Sequence, residues 1–105
     1  MLDEFLNACK EWVNSVQKTY ADKIKVEIEK DSSELLVANL DTDVYLSQIA
    51  VSKPECRPYN FVEFTVFDSR REAGATPVFW YGDKEGDTVQ EIVDRLNEGL
   101  KVLLG

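Results

Sequence analysis

Apolar residues recur along this chain at two different periods, and the change of period marks out its elements. Leu2, Phe5, Leu6, Cys9, Val13, Val16 and Tyr20 follow helical spacing with Trp12 beside them, while Asp3, Lys10, Glu11, Asn14, Gln17 and Lys18 fill the other side. This predicts an amphipathic helix from about residue 2 to 20. The period then drops to two. Lys23-Ile24-Lys25-Val26-Glu27-Ile28-Glu29 alternates strictly, the pattern of a strand with one buried and one charged face. Asp31-Ser32-Ser33 predicts a turn, Leu35 to Leu40 a second strand, and Asp41-Thr42-Asp43 a tight turn into a third, Val44 to Val51.

Two prolines, Pro54 and Pro58, make the next stretch a loop rather than a central strand. Phe61 to Asp68 is rich in Phe, Val and Thr and predicts a fourth strand. Its inward set is Val62, Phe64 and Val66, which leaves Phe61 and Phe67 for the other face. A loop from Asp68 to Thr76 leads to a fifth strand at Pro77-Val78-Phe79-Trp80-Tyr81. Asp87 with Gln90 three residues on suggests a capping box. After it, Val89, Ile92, Val93, Leu96, Leu100 and Leu103 form one apolar helix face. Gly99 should weaken that helix by ~1 kcal/mol relative to alanine unless something packs closely against it.

The order is helix, five strands, helix. Short turns between the first three strands favour antiparallel neighbours, because parallel pairs need long crossovers. The expected fold is therefore α+β, one domain over residues 1–105: an antiparallel sheet of about five strands with the N- and C-terminal helices packed on one face. The other face, charged along residues 23–29, is expected to stay at least partly open and to be the place for a partner.

Composition narrows the function. The 105 residues include no histidine, which removes the usual proton carrier near neutral pH and the commonest metal ligand. Six serines lack a histidine base, and none stands in a Gly-x-Ser-x-Gly elbow. The Asp83-Lys84-Glu85-Gly86-Asp87 stretch has its glycine too early for an EF-hand and lacks the bidentate glutamate. Asp41-Thr42-Asp43 sits where a turn is needed anyway. No catalytic residue, metal site or cofactor is expected. Close carboxylate pairs prove nothing in a chain with 20 acids.

Acids outnumber bases 20 to 12, for a net charge of −8. Such a charge repels nucleic-acid phosphates and anionic lipid surfaces, and favours solubility or a basic protein partner. Acids concentrate in residues 31–52 and 83–98, each of which nets about −4. Cys9 and Cys56 carry no framework or zinc spacing and are expected to be reduced thiols in a cytoplasmic protein. Met1-Leu2-Asp3-Glu4 does not read as a signal peptide, and no apolar run is long enough to cross a bilayer.

Protein binding is the reading these features leave. Asp41, Asp43, Asp83, Glu85 and Asp87 would supply a negative field, with Tyr45, Trp80 and Tyr81 as candidate anchors. The chain also resembles the small immunity proteins of bacterial polymorphic toxin systems, in particular the TriTu group. The likeness lies in Phe5-Leu6 through Glu11-Trp12, Val44 through Val51, Phe61 through Asp68, and the closing helix from Val89. The Pro54 to Pro58 insert and the long Asp68 to Thr76 loop depart from that pattern. The resemblance implies a cytoplasmic, non-catalytic protein that binds and blocks a cognate toxin domain, and it transfers no contact residue. The alternative is a secretion-chaperone-like homodimer that holds an extended segment of a client, whereas an immunity protein can act as a monomer.

Overall fold

Alternation along the strands separates a wet face of the sheet from a dry one, and two amphipathic helices close the dry side. The computed structural model describes residues 2–52, 61–70, 76–84 and 86–105. Helix α1 spans Leu2–Thr19 and α2 spans Val89–Leu104. Between them run β1 (Lys25–Asp31), β2 (Leu35–Asp41), β3 (Tyr45–Ser52), β4 (Val62–Asp68) and β5 (Phe79–Gly82). Each strand pairs antiparallel with the next, giving the spatial order β1-β2-β3-β4-β5. This is the α+β antiparallel sheet with terminal helices that the pattern predicts, and the structure adds the sequential, meander order of its strands.

The core lies between the helices and one face of the sheet. Leu36, Ala38 and Leu40 of β2, Ile49 and Val51 of β3, and Val62, Phe64 and Val66 of β4 are buried there. They meet Phe5, Leu6, Cys9, Trp12, Val13 and Val16 of α1 and Ile92, Leu96 and Leu103 of α2. Trp12 presents an edge to Phe64 at 5.6 Å, and its indole N–H donates to Asn97 Oδ1 at 2.8 Å, tying α1 to α2. Gly99 lets α2 descend onto the sheet: a Cβ there would stand 2.5 Å from the Phe64 ring and 2.9 Å from that of Phe79. The close packing at Gly99 that would offset its low helix propensity is present.

Four details differ from the sequence expectation. β1 has no buried face; Val26 is half-buried and Ile28 is 39% exposed. It is the edge strand that the helices cover least, and the anchoring residue is Ile24, just before it, which is buried. A register shift between Ile28 and Lys30 carries the strand on to Asp31, where Lys10 of α1 pairs with the Asp31 carboxylate at 2.7 Å. Phe61 lies one residue before β4, so the alternation does not apply to it. Its half-buried ring packs edge-on against Phe5 at 5.8 Å instead of standing on the open face. The N-cap of α2 is Thr88, not Asp87; Thr88 Oγ1 accepts from Glu91 N–H at 3.2 Å. Gln90 reaches forward to Asp94 at 2.8 Å rather than back to a cap.

Candidate functional site: the open sheet face

The helix-free face is built from the residues that alternate with the core set. Register places Asn39 beside Gln48, Gln48 beside Thr65 and Thr65 beside Trp80, one row running across four strands. Its members are bridged at the β2 end. Gln48 Nε2 donates to Asn39 Oδ1 at 3.1 Å, and Asn39 Nδ2 donates to Glu29 Oε1 at 2.9 Å. Next to this polar row, Leu46 pairs directly with Phe67, and Trp80 stands one diagonal step from Phe67. Leu46, Phe67 and Trp80 are 49%, 43% and 55% exposed. Three of the five large hydrophobic residues exposed among the described residues therefore share one plane. A shallow hollow of about 410 Å³ lies over Asn39, Asp41, Leu46, Gln48, Thr65 and Phe67.

The structure divides the residues singled out from the sequence. Trp80 and Asp41 border the open face, Trp80 through its exposed ring. Asp41 also has a local task, since its Oδ1 accepts Ser47 N–H at 3.2 Å across the β2–β3 hairpin. The turn itself is held by Thr42, whose hydroxyl accepts from Tyr45 N–H at 2.9 Å and Val44 N–H at 3.2 Å. Asp43 is exposed at the tip of that turn. Tyr45 pairs with Asp68, is half-buried and packs on the core side. It does not share the face of Trp80.

Tyr81, Asp83 and Asp87 form a separate structural cluster between β5 and α2. Tyr81 is buried in phase with Phe64, and its hydroxyl donates to Asp87 Oδ2 at 2.8 Å. Burial, that hydrogen bond and nearby carboxylates push its phenol well above its ordinary range. Asp83 is buried and accepts Val62 N–H at 2.7 Å. Loss of hydration raises its carboxyl above the usual value, against the pull of its backbone donors. Asp87 runs the other way. Burial presses it upward, but the Tyr81 hydroxyl and the Lys84 N–H at 3.1 Å outweigh this and hold it below the usual value. Glu85 lies outside the described residues. Tyr81, with its ring in the core and its hydroxyl engaged, is a brace for the β5–α2 connection rather than an exposed anchor.

Chemistry is sparse elsewhere. Burial, with Asp83 nearby, pushes the Cys9 thiol up to about 12, so it stays protonated and unreactive near neutral pH. Cys56 lies outside the described residues. Among the described residues, no group of three metal-ligating side chains converges, and no helix is long and apolar enough to cross a membrane.

Sequence reasoning missed Leu46 and did not count Phe67 among the site residues. The signal was present: Leu46 is in phase with Gln48 and Ala50, and Phe67 with Glu63 and Thr65. No family model, curated protein or solved structure matches the chain.

Proposed function

We propose that this protein is a non-catalytic binding module that docks a protein partner on its open sheet face and thereby neutralises a cognate toxin domain. One observation carries the docking: Leu46, Phe67 and Trp80 are exposed together beside a hydrogen-bonded polar row. Isolated exposed apolar residues need no explanation, whereas apolar residues gathered on one face and edged by polar groups resemble the centre and rim of an interface. Trp80 is the natural anchor, because tryptophan is over-represented among residues that dominate binding energy. The net charge of −8 favours a basic partner and speeds its encounter. The resemblance to TriTu immunity proteins supplies the toxin class.

The test is neutralisation. The partner captured from native lysate is expressed in a host whose growth it arrests, with this protein co-expressed. Wild type should restore growth, and the Trp80→Ala variant, folded by circular dichroism, should restore it poorly. A captured partner that leaves growth untouched would remove the toxin part of the reading. A stable homodimer gripping an extended client segment would favour the secretion-chaperone reading instead.

A further inference from the structure

Among the described residues the sheet ends in two free edges, and they are built differently. β1 is interrupted by its register shift and carries Lys25, Glu27, Glu29 and Lys30. Bulges and charged side chains are how proteins keep an edge from pairing. β5 has neither. It reads Phe-Trp-Tyr-Gly and, among the described residues, pairs only with β4.

Which backbone groups β5 leaves free follows from the ladder. Asp83 N–H donates to Val62 O at 3.1 Å, in the register that pairs Phe64 with Tyr81 and Val66 with Phe79. Val78 N–H donates to Val66 O at 2.9 Å, one residue out of that register, so the ladder is irregular just before β5 and regular within it. On its other side, β4 serves β3 through Phe61 O, which accepts Ser52 N–H at 2.9 Å, and the alternation continues to Ser69 N–H, which donates to Val44 O at 2.8 Å. Even-numbered residues of β4 thus face β5. Antiparallel alternation then turns the N–H and C=O of Trp80 and Gly82 outward. Beside them runs a cleft of about 560 Å³ between β5 and the flank of α2, bordered by Asp87, Glu91 and Asp94. Of the two cations there, Arg95 is engaged by Glu98 at 2.9 Å, and Lys84 stands exposed in the loop before α2.

We propose that β5 is a strand-addition edge: a basic, extended segment of a protein partner pairs antiparallel with Trp80 and Gly82, its lysine or arginine side chains reaching the acidic flank of α2. The inference rests on the protein-binding reading for the class of partner, but it assigns a different surface and mode. In this register, partner residues opposite Trp80 and Gly82 exchange the hydrogen bonds and project onto the open face. The residue between them, opposite Tyr81, projects toward Asp87, Glu91 and Asp94. A second copy of this chain is a poor occupant, because its own acidic flank would be brought against the first.

The probe is a short capped peptide alternating lysine and valine, titrated into the full-length protein while amide resonances are followed. The largest shifts should fall at Trp80 and Gly82. Methylating the valine nitrogens should weaken binding on the order of tenfold, since those N–H groups face β5. Methylating the lysine nitrogens should leave it unchanged. Glu91→Gln with Asp94→Asn, which leaves β5 untouched, should weaken binding several-fold and flatten its salt dependence. Equal binding by both methylated peptides overturns the proposal, as does a loss confined to the lysine-methylated one. So do the absence of shifts at Trp80 and Gly82 and the appearance of a β5–β5 dimer. Shifts confined to Leu46 and Phe67 would overturn the edge proposal while leaving docking on the open face standing.

Discussion

At the scale of single residues, a methyl group added at Gly99 would lie 2.5 Å from the buried Phe64 ring. Alanine improves helix propensity by about 1 kcal/mol, but forcing α2 or Phe64 to move costs about 1–3 kcal/mol. The clash should win. Gly99→Ala is expected to lower stability in urea unfolding despite its better propensity. The Tyr81–Asp87 hydrogen bond gives a second prediction, with a pH signature. Because Asp87 is held below its ordinary value near 3.8, the stability it contributes is present above that value. That contribution is lost as pH falls through the depressed folded value. Tyr81→Phe should cost about 1 kcal/mol at pH 7, below the usual range for a bond to a charged group because solvent reaches Asp87. The gap to wild type should narrow in thermal melts as pH drops below ordinary carboxylate values. Asp83, whose carboxyl is raised, acts with the opposite sign, so wild type alone would not isolate the effect.

At the scale of elements, period was legible and position was less so. Helical spacing located α1 and α2, and strand alternation identified the buried triad Val62, Phe64 and Val66. The start of α2 was misplaced by one residue. Asp87 and Thr88 are both good caps by type, and the choice depends on Tyr81, which takes the Asp87 carboxylate and leaves the cap to Thr88. Thr88→Ala should accordingly cost about 1 kcal/mol in urea unfolding. β1 fails as a half-buried strand for a similar reason. Its alternation is real, but burial needs a covering layer, and sequence order does not reveal that α2 lies over β4 and β5 and that β1 is left the least covered strand. Phe61 shows the limit of parity arguments, which hold only inside a strand.

At the scale of the whole molecule, the fold puts its acids and its exposed apolar groups to different uses. Acidic residues that look like a binding field in the sequence serve largely as local fasteners: Asp83 for Val62, Asp87 for Tyr81 and Lys84, Asp41 for Ser47. Their hydrogen-bond partners lie 6 to 21 residues away, or three for Lys84, so composition could not distinguish a fastener from a field. The apolar surface is the reverse case. Leu46, Phe67 and Trp80 come from three strands, and only their register gathers them on one face beside an otherwise polar row. This open face is the proposed docking surface. The most direct measurement is the affinity of the lysate-captured partner for wild type and for a Leu46→Glu, Phe67→Glu variant, compared by calorimetry after both are shown to melt cooperatively. Both positions are exposed, so the variant should fold, and its affinity should fall by about 100-fold or more, as for loss of two central contacts. Undiminished affinity in the folded variant would contradict the claim and move the interface elsewhere on the molecule.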